Sequence, residues 1–219
     1  MAFFLQLDTT VVVFKKGEFF MAISTEQQVP WVGDNVIGHS TDSMGEIDAT
    51  EGFGAIDSLF KTQGLGSRAI DIGGGAYDAN SAYMASRYLV DCVVYDPYKR
   101  HSSHNEKIIA DATNRPIDAA LSLSVLNVIS ESSCRLAHIR LCQSVLKTGG
   151  KAVFKVWPGD RSGLGTRTVS GYQSNRDIDT YIEELQTVFG SHSVFYHSKE
   201  KTVRCTNLVV RHLRGSLSI

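Results

Sequence analysis

Three consecutive glycines follow a short apolar segment in "AIDIGGGAYD", residues 69–78. Glycine loses more backbone entropy on folding than any other residue, so this run indicates a tight turn or a backbone that a ligand approaches closely. A second apolar segment, "DCVVYD", ends at Asp96. Asp96 stands about twenty residues beyond the glycines, the spacing at which an acid accepts hydrogen bonds from ribose hydroxyls, so the pattern indicates a nucleoside-containing ligand.

The elements that must position these residues alternate along the chain from residue 68 onwards. The pattern predicts strands at residues 68–73, 91–96, 108–110, 118–129 and 151–157, and helices at residues 78–89 and 132–146. Strands separated by helices predict crossover connections and a mostly parallel sheet. A helix at 178–189 then precedes two strands, at 193–197 and 204–213, whose short polar connection predicts an antiparallel hairpin at the sheet edge.

The glycine turn departs from the dinucleotide-binding fingerprint G-x-G-x-x-G, because Asp78 stands where the third glycine is expected. An acid there would face a pyrophosphate of like charge. S-adenosylmethionine has no phosphate, and its sulfonium and amino groups are cationic, so Asp71 and Asp78 favour it over a nicotinamide dinucleotide. We expect the glycines to lie close to its amino-acid end.

Taken in order, these segments resemble the class I S-adenosylmethionine-dependent methyltransferases over roughly residues 66–213. The resemblance implies an α/β, Rossmann-like fold: a mostly parallel seven-stranded sheet with helices on both faces and an antiparallel C-terminal hairpin. It also implies that Asp96 binds the ribose, and that Asp111, in "IIADAT", meets the adenine amino group beside Ala112. The implied cofactor contacts are Asp71, Gly73, Gly74, Gly75, Asp78, Asp96, Pro97, Asp111, Ala112 and Ser124.

Two residues are candidates for catalysis. The end of the fourth strand faces the methyl group in this family, and here "LSLSVLNVI" supplies Asn127 without the signature of amino-group DNA methyltransferases. The segment "GGKAVFKVW" resembles the fifth strand of 2′-O-ribose RNA methyltransferases, which implies that Lys155 activates a hydroxyl. The partner aspartate of that subfamily is absent from the fourth strand.

Residues 158–176 form a long, polar, glycine-rich segment after the fifth strand. Loops of this length inside a compact domain are uncommon and often functional, so we take Arg161, Arg167 and Tyr172 as candidate substrate contacts. The predicted acceptor is RNA, DNA or a small polar molecule. Two alternatives stay open: a cofactor-binding subunit or sensor without catalysis, and a nicotinamide or nucleotide-sugar enzyme on a similar sheet.

The alternating pattern and the resemblance divide the chain into an amino-terminal extension, residues 1–66, and a cofactor-binding domain, residues 67–219. Residues 1–67 carry nine acidic and three basic residues, so a nucleic-acid acceptor must be bound by the other part of the chain, where residues 197–214 are basic. Residues 22–60 are a candidate substrate lid. The apolar start predicts a strand or hairpin, or a flexible leader before Met21, rather than a signal peptide, because Asp8 interrupts it.

Four widely spaced cysteines lie in apolar patterns without a C-x-x-C pair, so we expect buried free thiols and a cytoplasmic protein. The seven histidines are scattered, and no metal site is predicted. No apolar run approaches the roughly 18–20 residues that span a bilayer, so no membrane partner is expected. The sequence leaves the oligomeric state open.

Overall fold

The computed structural model describes eight parts of the chain: residues 4–7, 10–15, 18–22, 59–60, 67–76, 78–115, 117–168 and 171–208. The candidate lid lies outside the described residues except at its two ends. The end of the basic stretch, residues 209–214, lies outside them as well.

The start of the chain forms a small antiparallel sheet, as the prediction of a strand or hairpin required. Its strands are β1 (Phe4–Leu7), β2 (Thr10–Lys15) and β3 (Glu18–Ala22). β2 lies in the middle and pairs antiparallel with both neighbours.

The main sheet has six strands: β4 (Arg68–Ile72), β5 (Asp91–Tyr95), β6 (Ile117–Leu123), β7 (Leu146–Lys155), β10 (Val194–His197) and β11 (Thr202–Thr206). Their order is β10-β11-β7-β6-β4-β5. The four strands β5, β4, β6 and β7 are parallel, and β11 and β10 add the predicted antiparallel hairpin beside β7. Two short strands, β8 (Thr166–Thr168) and β9 (Gly171–Gln173), form a separate hairpin.

Four described helices cover the sheet: α1 (Ala79–Tyr88), α2 (Ser102–Asn114), α3 (Ser132–Val145) and α4 (Ile182–Phe189). A 3-10 turn, Ile178–Tyr181, leads directly into α4, so the predicted helix there begins with a tighter turn. None of the helices that the structure describes is long and apolar enough to cross a bilayer.

Side chains of successive strand residues enter two different cores, because they point to opposite faces of the sheet. On β7, Phe154 packs in the core that α2, α3 and α4 cover. Its neighbour Val153 packs on the other face, with Leu59, Phe60 and Met84 of α1. Helices therefore lie on both faces, and the predicted fold class is confirmed.

The predicted strand at residues 108–110 is wrong, because these residues lie inside α2. Asn105 and Ala112 are buried, and Ile108 and Ile109 pack against the core between them. Spacings of three, one and three residues place these four side chains on one face of a helix. Since β6 begins at Ile117, three residues after α2 ends, the chain has no room there for another strand. The sheet therefore has six strands among the described residues, where seven were predicted.

All four cysteines are buried free thiols, as predicted. Burial raises the pKa of Cys92, Cys142 and Cys205. Since the thiolate is the reactive form, these three thiols are chemically inert in the folded protein.

The buried histidine of α3 makes the stability of the fold depend on pH. His138 is 0% exposed, and its Nε2 lies 2.7 Å from Ser122 Oγ. Burial lowers the pKa of His138 to about 3. The unfolded chain protonates His138 near pH 6.5, whereas the folded chain keeps it neutral down to about pH 3. The part of the free energy of unfolding that depends on neutral His138 is therefore fully present above pH 6.5 and is lost as the pH falls from there towards 3. We expect the free energy of unfolding to fall by up to about 1.4 kcal/mol per pH unit, measured by urea unfolding at pH 7, 6 and 5.

The matched variants for this measurement are His138→Gln and His192→Gln, of which the second changes an exposed histidine. We expect His138→Gln to flatten the dependence between pH 6 and 5 and His192→Gln to leave it unchanged. Equal slopes in the wild type and His138→Gln would show that His138 does not cause the acid sensitivity.

Candidate functional site

The glycine turn follows β4 and precedes α1. Gly73 N–H donates to Tyr95 O across 2.8 Å, which joins the turn to the end of the neighbouring strand β5. Gly73 and Gly75 have φ angles of 87° and 84°, in the left-handed region that favours glycine. The turn lies at the carboxyl ends of the parallel strands, where ligands bind in open α/β sheets.

The turn leaves no space for side chains on two of its glycines. A Cβ on Gly73 would lie 2.6 Å from Val125 Cγ2, so the loop after β6 touches the turn at this point. A Cβ on Gly74 would lie 2.6 Å from Asp71 Oδ2. Asp71 is only 1% exposed and lies buried against Gly74. The packing of the turn itself therefore requires glycine at both positions.

Asp96 ties the glycine turn to the loop after β5. Its Oδ2 accepts a hydrogen bond from Gly75 N across 2.9 Å, and its Oδ1 accepts from Tyr98 N and Lys99 N, both across 2.9 Å. Asn105 of α2 holds the backbone of Asp96, donating from Nδ2 to Asp96 O across 2.9 Å. A carboxylate accepts about four hydrogen bonds, so the three that Asp96 accepts leave capacity for a ligand hydroxyl.

Arg100 is a site residue that the sequence analysis missed. Its Nε donates to Gly75 O across 2.7 Å, and its Nη2 donates to Asp78 Oδ1 across 2.9 Å. The ion pair reduces the negative potential of Asp78, which weakens the charge argument against a phosphate-bearing ligand. Pro97 lies half-buried in the same loop. A base four residues after Asp96 was the only signal for Arg100 in the sequence.

The segment after β6 begins with an unusual backbone conformation. Ser124 has a φ angle of 59°, which is uncommon for residues other than glycine, and its N–H donates to Lys155 O across 2.8 Å. Lys155 is half-buried at the end of β7, so the two predicted site residues meet through their backbones. Val125 then packs on Gly73, which places the segment beside the glycine turn.

Asn127 lies in the 3-10 turn Leu126–Val128 and is 1% exposed. Its Nδ2 donates to Gln173 Oε1 across 3.0 Å, and Gln173 Nε2 donates to Trp157 O across 2.9 Å. The backbone contributes a third bond, from Ser174 N to Asn127 O across 2.8 Å. β9 is thus bound to the 3-10 turn that follows β6, a contact that the sequence analysis did not predict.

The segment 158–176 folds back over the carboxyl ends of β6 and β7 through these bonds. Arg167 of β8 pairs with Tyr172 of β9, and the Tyr172 ring packs so closely on Gly165 that a Cβ there would lie 2.2 Å from its hydroxyl. Arg161 is exposed and forms an ion pair with Asp177 across 3.6 Å. The structure thus places Arg167 and Tyr172 in the hairpin β8–β9, and Arg161 in the loop that precedes it.

Asp111 and Ala112 lie away from the glycine turn, contrary to the prediction. Ala112 is buried in the core, and Asp111 pairs with Arg68 and, across 3.1 Å, with Arg115. The hydrogen bonds from Arg115 and Arg68 lower the pKa of Asp111. Since Arg68 begins β4 and the glycine turn follows its end, about 15 Å of strand separates the two places. The prediction depended on the strand that proved to be helix.

No group of three histidine, cysteine, aspartate or glutamate side chains is arranged to hold a metal ion among the residues that the structure describes.

Comparison with solved structures identifies the fold. A sugar N-methyltransferase from Streptoalloteichus matches with a TM-score of 0.55 and 11% sequence identity, over 80% of this chain and 96% of that one. The fold is that of the class I S-adenosylmethionine-dependent methyltransferases. No protein-family model matches the sequence, and no curated protein matches it either.

Two further methyltransferases match less closely. An amino pentose methyltransferase from Micromonospora echinaspora, whose structure contains S-adenosylmethionine, has a TM-score of 0.46 and 14% identity over 76% of this chain and 94% of that one. A protein-(glutamine-N5) methyltransferase from Alicyclobacillus acidocaldarius has a TM-score of 0.47 and 16% identity over 76% of this chain and 96% of that one. The acceptors named for these structures are different, and at these identities the likeness concerns the fold alone.

Proposed function

We propose that the chain binds S-adenosylmethionine at the glycine turn and transfers its methyl group to a polar acceptor beside the segment 158–176. The observation that carries the proposal is the turn itself, in which Gly75 is joined to the Asp96 carboxylate. Residues 67–219 form the cofactor-binding domain and residues 1–66 an extension. The four free thiols of the chain suit the reducing conditions of the cytoplasm.

The residues present fit this cofactor. Gly73, Gly74 and Gly75 leave only backbone on the turn, which suits the close approach of an amino-acid moiety. The space that a Cβ on Gly73 or Gly74 would take is already filled by Val125 or Asp71. Asp96 has the remaining acceptor capacity for a ribose hydroxyl. When bound, S-adenosylmethionine supplies a methyl group activated by the sulfonium charge. Gly73, Gly75 and Asp96 hold and orient it.

The acceptor side of the site is formed by the ends of β6 and β7 and by the hairpin β8–β9. Lys155 ends β7, and Asn127 lies in the 3-10 turn that follows β6. The segment 158–176 contains Arg161, Arg167 and Tyr172. Methyl transfer is an in-line displacement in which positioning supplies much of the rate enhancement, so a hairpin held here by the bond between Asn127 and Gln173 suits the reaction. RNA, DNA and small polar molecules are the acceptor classes to test.

Transfer of radiolabelled methyl groups tests the proposal. The full chain is incubated with S-adenosylmethionine labelled in the methyl group and with the RNA, DNA, protein and small-molecule fractions of a cell extract. We expect label in one fraction. The matched control is the Gly73→Ala variant, in which the new Cβ collides with Val125 and displaces the turn or the loop after β6, so label should be absent from every fraction.

Two outcomes would contradict the proposal. Binding of S-adenosylmethionine without label in any fraction would favour the non-catalytic subunit or sensor. Binding of a nicotinamide dinucleotide in place of S-adenosylmethionine would favour the other alternative, and Arg100 beside Gly75 would then be the group that meets its phosphates.

A further inference from the structure

The orientation of the Asn127 amide follows from its hydrogen-bond network. Trp157 O is a backbone carbonyl and can only accept, so the Gln173 atom that faces it across 2.9 Å must be Nε2. Gln173 then presents Oε1 to Asn127, and the Asn127 atom 3.0 Å away must be Nδ2. The network therefore fixes which end of the Asn127 amide remains for a ligand.

The end of the Asn127 amide that remains is its oxygen, Oδ1, which accepts hydrogen bonds. Asn127 Oδ1 is buried and has no hydrogen-bond partner among the described residues. A buried polar atom without a partner is costly, so natural proteins keep one mainly where a ligand or water completes it. Asn127 follows Val125, which packs on Gly73, so the unpaired oxygen belongs to the same edge of the sheet as the glycine turn.

The geometry points to an amine as the methyl acceptor, with Asn127 Oδ1 accepting a hydrogen bond from its N–H group and Gln173 acting as the positioning residue. This inference depends on the proposed function and specifies its substrate class. Residues 124–128, "SVLNV", contain no carboxylate or imidazole that could remove a proton from a hydroxyl, and Lys155 lacks the partner aspartate with which a lysine activates a hydroxyl in the 2′-O-ribose enzymes. A neutral amine needs no such group before transfer, because its nitrogen already carries a free electron pair.

The bonds and electrons of methyl transfer to an amine balance without a catalytic base among residues 124–128. The nitrogen electron pair forms the new bond to the methyl carbon as the carbon–sulfur bond breaks, and sulfur keeps that electron pair. The product is a methylated ammonium ion, which loses its proton to solvent. Before transfer, Asn127 Oδ1 orients the amine through its N–H so that the nitrogen electron pair points away from the amide.

The test compares two ligands that differ at the methyl position. Sinefungin carries an amino group on carbon where S-adenosylmethionine carries its methyl on sulfur, and S-adenosylhomocysteine has neither group. Calorimetric titration of the full chain should show sinefungin binding about tenfold more tightly, because its ammonium donates to Asn127 Oδ1. We expect Asn127→Leu to abolish this ratio while binding of S-adenosylhomocysteine changes by less than about threefold.

Gln173→Met tests the positioning role and should lower the ratio to about threefold, since the Asn127 amide can then rotate. Gln143→Met is its matched control: it removes a similar bond, from Gln143 Nε2 to Val188 O across 2.9 Å, away from the site, and should leave the ratio unchanged. A ratio near one in the wild type, or an unchanged ratio in Asn127→Leu, would overturn the inference alone. If neither ligand binds, the proposed function itself fails.

Discussion

Replacing Asp96 with asparagine is expected to weaken binding of S-adenosylmethionine by about 100-fold or more, because hydrogen bonds to a charged group contribute about 1.5–3 kcal/mol each. The Asp96 carboxylate accepts from Gly75 N, Tyr98 N and Lys99 N. An asparagine amide would present a donor to at least one of these donors. The turn would lose a bond that shapes it, and the ribose would lose a charged acceptor. Calorimetric titration of the two proteins measures the difference.

Asp91→Asn is the matched control for this variant. Asp91 begins the same strand that Asp96 follows, and its side chain is 63% exposed beside Arg68 at the opposite edge of the sheet. The same chemical change there should leave the affinity within about twofold, because solvent-exposed ion pairs contribute little. Equal affinities for the wild type and Asp96→Asn would show that Asp96 is not the ribose ligand.

Gly73→Ala is expected to destabilise the fold by about 2–4 kcal/mol and to abolish cofactor binding. Two effects add at this position. The φ angle of 87° is strained for alanine, and the new methyl group would lie 2.6 Å from Val125 Cγ2. Either the turn or the loop after β6 must shift, and both border the site. Urea unfolding and calorimetric titration measure the two losses.

The Gly149→Ala variant separates the cost of backbone strain from the cost of steric overlap. Gly149 has a similar φ angle of 78°, but a Cβ there would meet nothing within 4 Å. It should therefore show only the cost of the backbone conformation, about 1–2 kcal/mol, with cofactor binding intact. If both alanine variants lose the same stability and both still bind the cofactor, the close contact at Gly73 has no functional role.

The sequence predicted the parts of the fold that local patterns determine. β4, the glycine turn, α1 and β5 form a continuous unit whose signals lie within thirty residues, and the structure confirms them within one or two residues. α2 shows the limit of this method. "IIADAT" is apolar enough for a strand, and only the wider spacing from Asn105 to Ala112 indicates a helix.

The candidate site was harder to predict because its remaining contacts join distant parts of the chain. Arg100 meets Gly75 and Asp78 across more than twenty residues, and Gln173 meets Asn127 across 46 residues. No periodicity or motif marks such pairs in a single sequence. Asp111 shows the opposite kind of error, in which a motif at an acceptable spacing predicts a site residue that the fold places elsewhere. Because its segment is a helix and not a strand, Asp111 lies beside Arg68 at the start of β4, at the opposite edge of the sheet from the glycine turn.

The central claim is that the glycine turn binds S-adenosylmethionine, and calorimetric titration of the full chain tests it most directly. The chain is titrated in parallel with S-adenosylmethionine and with NAD under identical conditions. We expect one molecule of S-adenosylmethionine to bind per chain, with no measurable heat from NAD. Binding of NAD, or of neither ligand, would contradict the account.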